Sequence, residues 1–385
     1  MNYRTFGKDE RKVSALGIGC MRLPTTSGKT DGTVIEKEAK RMIRRGIDAG
    51  INYIDTAKVY HDGRSEAIVG DILQDGYRKK VLIATKLPLW DVKNKNDADK
   101  IFDEQRRDLK TDRIDVYLLH NIQRSYWSTV QKNNLIEWGA KKKEAGDIGY
   151  FGFSFHDSYD FFVDVVDEYE GWDFCQLQYN YVGESVQAGR LGVNYASKRG
   201  LSVVVMEPLL GGCLANPIGK MAELFEWNQH EGFDYQPVDL ALRWIWDQPQ
   251  ISVVLSGMSA YNQLEQNLKI ASKKDYDKLS KDELSFIMYL QRVYDQSLPI
   301  KCTKCRYCMP CPDGVDIPLN FELYNNHFVM TQMKKDAAIN KILYDSMPKK
   351  QKAISCVKCG KCEKICPQKL PIRNHMKTIQ TTFNS

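Results

Sequence analysis

The sequence predicts an α/β chain: a (β/α)8 TIM barrel followed by a small helical, cysteine-rich unit. Three observations carry this reading. Eight short runs rich in Val and Ile alternate with amphipathic stretches up to about residue 295. Polar side chains collect where those runs end, as they do at the mouth of such a barrel. Of the 11 cysteines, eight fall in two tight runs near the C-terminus. With 385 residues and 43% apolar content the chain can bury one large core and still build a second unit. The expected division is residues 1–295, barrel plus linker helix, and residues 296–385.

Taken in order, the runs are "VSALGIGC", "INYIDTA", "KVLIATK", "RIDVYLLH", "DIGYFGFS", "DFCQLQYN", "LSVVVMEP" and "ISVVLSGM". Between them lie helical patterns such as "VIEKEAKRMIRRGIDAG" and "NLIEWGAKKKEAGDIG". Eight strands is the number a (β/α)8 barrel needs. An open doubly wound sheet is the alternative, but "GIGCMRLP" after the first run lacks the phosphate-binding GxGxxG pattern. The polar residues at run ends are Asp55, Lys86, His120, Ser154, Gln176 and Glu207.

The start "MNYRTFGKDE" has no apolar stretch of signal-peptide length, and no run of about 18 apolar residues occurs. A cytoplasmic protein without membrane association is expected. Cysteine clustering in a chain of this length argues for metal rather than a secreted disulfide scaffold. Cys20, Cys175 and Cys213, among apolar or glycine neighbours, read as small buried hydrophobes. Charge is uneven: residues 296–385 hold 15 Lys and Arg against 6 Asp and Glu, an excess of +9 that leaves −3 for the rest. Such a surface suits an acidic partner or an offset for thiolate-ligated clusters, and no nucleic-acid motif accompanies it.

Chemistry concentrates in "GINYIDTAKVYHDGRSEAIVG" (50–70), where Asp55 ends a run and Tyr60 follows five residues on. Together with Lys86 in "LIATKLP" and His120 in "VYLLHN", this set resembles the aldo/keto reductase superfamily, over residues 3 to 270. The resemblance implies hydride transfer to a small-molecule aldehyde or ketone, or from an alcohol in reverse. A carbonyl accepting hydride needs a proton, and a phenol with pKa near 10 gives one reluctantly. Lys86 would lower the Tyr60 pKa, Asp55 would keep Lys86 charged, and His120 would hold the carbonyl oxygen. Tyr60 is thus the expected general acid. His61, beside it, reads as a surface residue.

The resemblance also implies NADPH or NADH. Ser154 and Gln176 would hold the carboxamide, with Met206 where an aromatic often stacks. The loop through Pro208, Leu209 and Gly211 would receive the pyrophosphate. Ser256, Gly257, Ser259 and Gln263 would close on the adenosine, with Gln266 and Asn267 near the adenine. The family's common Asn after the serine is here Phe155, and its basic residue for a 2′-phosphate is Gln263, so the NADPH preference rests on the resemblance alone. Tyr126 and Trp127 in "NIQRSYWSTVQKN" are candidates for an apolar substrate wall or for packing against the barrel.

The second cysteine run, Cys356, Cys359, Cys362 and Cys366 followed by proline, has the bacterial ferredoxin spacing, in which the fourth cysteine serves the other cluster. The first, Cys302, Cys305, Cys308 and Cys311, is one residue short before its last cysteine. The assignment is therefore Cys302, Cys305, Cys308 and Cys366 for one 4Fe-4S cluster, and Cys356, Cys359, Cys362 and Cys311 for the other. Zinc, the alternative, needs only two pairs. The intervening 44 residues carry helical periodicity, and the whole looks like an α-helical ferredoxin module.

Nicotinamide gives electrons in pairs and each cluster takes one, so a direct handover needs a splitting centre such as a flavin. Three functions follow. Tyr60 runs carbonyl reduction while the clusters are structural or redox-sensing; or the clusters relay electrons from a ferredoxin-like partner, with a bound flavin; or the barrel is a non-catalytic redox-sensing binding protein. The intact tetrad favours the first.

Overall fold

A computed structural model describes residues 1–28, 32–302, 306–332, 334 and 337–384. The chain opens with a feature absent from the sequence reading, an antiparallel hairpin of β1 (Tyr3–Phe6) and β2 (Arg11–Ser14). The run "VSALGIGC" therefore divides: Val13 and Ser14 belong to the hairpin, and the barrel begins with β3 (Leu16–Gly19). The chain then runs α1 (Glu36–Asp48), β4 (Tyr53–Asp55), α2 (Ser65–Ile72), β5 (Leu82–Pro88), α3 (Lys95–Asp108) and β6 (Ile114–Ile122). After α4 (Arg124–Lys132) and α5 (Leu135–Glu144) come β7 (Ile148–Phe155), α6 (Tyr159–Asp167), β8 (Phe174–Gln178), α7 (Gly189–Lys198) and β9 (Ser202–Met206). Then follow α8 (Lys220–His230), α9 (Pro237–Trp246), β10 (Ile251–Ser256) and α10 (Tyr261–Ala271). The eight strands β3 to β10 close into a parallel barrel, with β10 paired to β3.

Local chemistry explains the elements. In α1 the buried residues Ala39, Met42, Ile43, Gly46 and Ile47 recur at helical spacing, one stripe facing the barrel. Helix α3 starts at a capping box in which Asn94 and Asp97 satisfy each other's backbone donors. The strands are buried on both faces, so they read as nearly continuous apolar runs.

Near the N-terminal ends of the strands the interior is filled by Tyr53, Leu82, Val116, Phe174, Val204 and Val253, among others, together with Phe6 from the hairpin. The Phe6 ring lies 5.8 Å from Tyr53, 5.1 Å from Tyr150 and 5.3 Å from Phe174. It is the plug of that end, and Asp55, Lys86 and His120, expected to carry chemistry, lie toward the opposite ends of their strands.

Two compact units emerge from the contacts within the chain: residues 1–209 with 238–281, and residues 210–237 with 282–385. The second holds α8, nearly all of α11 (Lys281–Ser297), then α12 (Ile317–Gln332), α13 (Ala338–Ser346), the short α14 (Lys361–Ile365) and α15 (Ile372–Asn384). Its core gathers Ile300, Val315, Phe321, Tyr344, Ile372 and Phe383, with the Tyr344 and Phe383 rings stacked at 4.5 Å. Among the described residues no helix is long and apolar enough to cross a membrane.

Phe6→Ala removes the whole plug from a closed space, and the expected cost is about 3–5 kcal/mol of barrel stability. Denaturant unfolding followed by tryptophan fluorescence measures it; a loss under about 1 kcal/mol would show that the barrel end collapses around the void.

Candidate active site and cluster sites

Asp55 is the last residue of β4, and the adjacent strand β5 carries Lys86 two residues beyond Ala84, the partner of Asp55 in the strand register. Both side chains are buried, and the Lys86 ammonium donates to Asp55 Oδ1 at 2.8 Å and to the Thr56 carbonyl at 2.7 Å. Burial alone would push the Lys86 ammonium down; the Asp55 carboxylate and the Tyr60 phenol outweigh it and hold it above its usual value, so it stays charged.

Lys86 Nζ lies 4.9 Å from the centre of the Tyr60 ring. Tyr60 sits in the loop before α2, and the next three residues, His61, Asp62 and Gly63, all adopt positive φ (52°, 53° and 82°). A turn with two non-glycine residues in that region is held in place by its surroundings. His61, expected at the surface, supplies part of that hold: it is buried, with Nε2 3.1 Å from the Cys20 carbonyl oxygen and 3.3 Å from the Leu23 amide nitrogen. A polar residue inside a tight loop is drawn inward by backbone groups that sequence spacing does not show.

The Tyr60 pKa moves opposite to the sequence expectation. Burial raises it first, Lys86 pulls it back, Asp55 raises it again, and the net direction is upward. The phenol therefore remains protonated at neutral pH. The His120 ring meets Tyr60 edge-on at 6.4 Å, and burial, with the Lys86 charge and His156, holds its pKa well below the usual histidine range. His120 is neutral, and its Nδ1 is buried without a partner.

Behind these groups a polar network fixes the Lys86 backbone. Gln105 Nε2 donates to the Lys86 carbonyl at 2.9 Å and to Glu66 at 2.8 Å, while Tyr117 donates to Gln105 Oε1 at 2.7 Å. Thr85 also donates to Glu66, whose carboxyl is pushed up to about 7 by burial.

Of the positions expected to hold a nicotinamide dinucleotide, Ser154, Gln176, Met206 and Ser256 stand at or near strand ends, while Gln263, Gln266 and Asn267 lie in α10. Ser154 pairs with Gln176 in the β7–β8 register. Gln176 Oε1 is buried with no hydrogen-bond partner, while its Nε2 contacts Met206 Sδ at 3.7 Å. An orphaned buried amide oxygen fits a ligand that brings an N–H, as a carboxamide does. Ser154 Oγ, in contrast, already accepts the Asn121 amide at 2.7 Å. After Met206 the backbone takes positive φ at Glu207, Leu210, Gly211 and Gly212, an irregular turn that leaves Pro208 buried and Leu209 partly exposed. Asn267 donates to Ser256 Oγ at 2.8 Å, and Gln263 Oε1 accepts from the Ser259 amide at 2.9 Å. Gly257 and Gln266 are exposed.

Two residues passed over in the sequence join the site. Trp90, directly after β5, lies 5.0 Å from His120 and 6.0 Å from Tyr126. Trp127 instead packs on Phe161 at 5.7 Å, so of these two aromatics, both in α4, Tyr126 is the one that meets Trp90, which in turn meets His120. Arg22 lies against Gly257 and, at 3.8 Å, opposite Glu207, between the two loops assigned to the dinucleotide. Its signal was present as the one cation in "GIGCMRLP". Phe155 is core, packed on Phe153, Phe161 and Phe162. Cys20, Cys175 and Cys213 are buried, as expected.

In the second unit the cysteines converge on two cavities. One, of about 320 Å³, is lined by Cys311, Cys356, Cys359 and Cys362, with Cys308 also on its wall. The smaller is lined by Cys302, Cys308 and Cys366. Cys305 lies outside the described residues. Four thiols drawn from both runs around one space, with the last cysteine of each run crossing to the other, fit the ferredoxin arrangement. Helix α12 organises both runs through two buried asparagines. Asn325 accepts the Ile300 amide at 3.1 Å and donates to the Ile300 carbonyl at 2.8 Å, just before Cys302. Asn320 accepts the Ala353 amide at 2.8 Å and donates to the carbonyls of Asp316 and Gln351, just before Cys356.

A profile of the aldo/keto reductase family matches residues 15–285, and one of a 4Fe-4S dicluster domain matches residues 301–370. The chain belongs to the aldo/keto reductase family of oxidoreductases and carries a C-terminal 4Fe-4S domain. It is 26% identical over 316 residues to the oxidoreductase YqkF of Bacillus subtilis, covering 74% of this chain and 94% of that protein. To L-galactose dehydrogenase of Arabidopsis thaliana it is 26% identical, covering 73% and 90%. Aldo-keto reductase AKR11C1 from Bacillus halodurans in its holo form superposes with a TM-score of 0.61 at 25% identity, covering 75% and 96%. An aldo-keto reductase from Klebsiella pneumoniae, solved in complex with NADPH, gives 0.59 at 23% identity, covering 78% and 98%.

Asn320→Ala leaves the Ala353 amide without its partner and takes one of two hydrogen bonds from each of the Asp316 and Gln351 carbonyls, an expected loss of about 1–3 kcal/mol. The measurement is the rate of iron release to a chelator from anaerobically prepared protein, expected to rise several-fold. An unchanged rate would show that Asn320 does not brace the second cysteine run.

Proposed function

We propose that the chain catalyses NAD(P)H-dependent reduction of a small aldehyde or ketone, or the reverse oxidation of an alcohol, with Tyr60 as the general acid. The observation carrying this is the buried Lys86–Asp55 pair set against Tyr60 and His120 at the barrel mouth. When bound, a nicotinamide supplies hydride to the carbonyl carbon. The residues do the rest. The neutral His120 donates a hydrogen bond to the carbonyl oxygen, and Tyr60 delivers its proton to that oxygen as negative charge develops. Lys86, held charged by Asp55, stabilises the phenolate left behind. Trp90 and Tyr126 form the apolar wall beside His120.

For the dinucleotide, Gln176 takes the carboxamide and the turn from Glu207 to Gly212 takes the pyrophosphate. Arg22 joins this set as the cation between the two loops, exchanging Glu207 for a ligand phosphate. The C-terminal cysteines hold two 4Fe-4S clusters in the crossed arrangement, in a protein of a reducing compartment. Clusters held there would supply single-electron chemistry, separate from the proton path of the tetrad.

Tyr60→Phe is expected to lower kcat by at least about 100-fold while leaving the nicotinamide Kd unchanged. Equal turnover in the variant would remove Tyr60 as the acid. The sign of the pH dependence follows from the shifts: His120 is neutral above its lowered pKa and Tyr60 protonated below its raised one, so carbonyl reduction should be flat from about pH 7 to 9 and fall only as the phenol ionises. A rate limb inside that window would show that another group carries the proton.

Arg22→Ala should weaken nicotinamide binding by about ten-fold, read by fluorescence titration. Equal losses for NADPH and NADH place Arg22 on the pyrophosphate, and a loss confined to NADPH places it on the 2′-phosphate. No loss with either would exclude Arg22 from the site.

A further inference from the structure

The larger cysteine cavity opens on a surface with three coincident properties. Cys359 is the exposed cysteine of its set. Beside it two large aliphatic side chains face water, Val357 at 62% and Ile365 at 54% exposure, and both line the cavity. Around them Lys358, Lys361 and Lys364 are exposed, and none has an ion-pair partner among the described residues. The carboxylate in this stretch, Glu363, is already engaged by Arg373 at 2.7 Å. Asp313 on the cavity wall is the further acid there, partly buried.

Two bland accounts leave features over. Lysines that serve only to offset a thiolate-ligated cluster need no apolar neighbours in water. Each cluster is a net anion once its thiolates are counted, yet two such anions do not exhaust the +9 excess of residues 296–385. Aliphatic side chains exposed as scattered singles need no explanation. Here they flank Cys359, the one cysteine among the described residues that is exposed. A small apolar centre with a charged rim is the anatomy of a transient interface, and a single-sign rim steers a partner of opposite charge.

We infer that this face docks an acidic one-electron carrier protein, which exchanges electrons with the cluster through the edge at Cys359. The inference rests on the proposed ligation of Cys311, Cys356, Cys359 and Cys362 and is independent of the tetrad. The step balances without the barrel: the reduced cluster loses one electron and the carrier gains it, with no proton or bond transferred.

The test uses full-length protein prepared anaerobically, with iron, sulfide and visible absorption recorded, then reduced by dithionite and freed of excess reductant. Stopped-flow mixing follows its reoxidation by two acceptors, a small acidic [2Fe–2S] ferredoxin and, as the opposite case, the basic cytochrome c. The second-order rate with ferredoxin should fall about ten-fold between low and physiological salt, and the rate with cytochrome c should stay level or rise. In K358E/K361E/K364E, with the absorption of loaded clusters intact, the ferredoxin rate should drop about ten-fold and the salt dependence should shrink. A ferredoxin rate indifferent to salt, or a variant slowed equally with both acceptors, overturns the docking face. If the variant fails to load clusters, the salt series on the unaltered protein still decides. Iron and sulfide absent from the unaltered protein would overturn the cluster reading and the docking face with it, while leaving the Tyr60 chemistry untouched.

Discussion

A cation removed from water at the end of β5 is the constraint around which the barrel mouth is organised. Lys86 is 1% exposed, and an ammonium so buried is tolerable only with a counter-charge in direct contact. Asp55 meets that demand because strand closure sets β4 and β5 in a register where the two side chains converge. The rest follows. Thr56 turns its carbonyl toward the ammonium, Gln105 pins the Lys86 backbone from α3, and Glu66 and Tyr117 fill the remaining hydrogen-bond capacity of Gln105. Removing either charge would strand the other in a low-dielectric interior, so the pair supports the structure whatever its part in the proposed chemistry.

The same pair explains why burial and chemistry agree at Tyr60 although the pKa shift is upward. A general acid must hold its proton until the transition state, and desolvation keeps the phenol protonated. In the proposed reaction Lys86 matters most after the proton leaves, when a phenolate would otherwise be buried alone. His120 is treated in the opposite sense by the same burial, which denies it charge and leaves a neutral imidazole. One dry pocket thus sets two groups in complementary states, in the way that environments divide acid and base roles elsewhere.

The second unit solves a different problem with different means. A small helical core cannot place sulfurs by strand register, so α12 does it with buried amides: Asn325 and Asn320 each grip the backbone immediately before one cysteine run. Buried asparagines fully satisfied by main-chain groups give geometric specificity that apolar packing alone does not. The two cavities then receive cysteines from both ends of the segment, which binds residues distant in the chain into one fold.

Fold class and family were legible in the residues. All eight apolar runs form strands, because their period and composition suit burial on both faces. Asp55, Tyr60, Lys86 and His120 stand out by type and context and do come together, and the two cysteine runs do converge on shared cavities. The hairpin and Phe6 were not legible, since four-residue strands rich in Arg and Lys carry little apolar signal. Trp90, Arg22 and His61 were missed for a shared reason: each acts across a distance in sequence, toward His120, Glu207 and Cys20 respectively. By itself the sequence determined the eight barrel strands and which residue types can do chemistry, because period, propensity and ligand spacing are local properties. Tertiary structure alone decided which of those residues meet, how dry their meeting place is, and therefore which way each pKa moves, because desolvation and charge proximity depend on closure of the barrel rather than on the order of the chain.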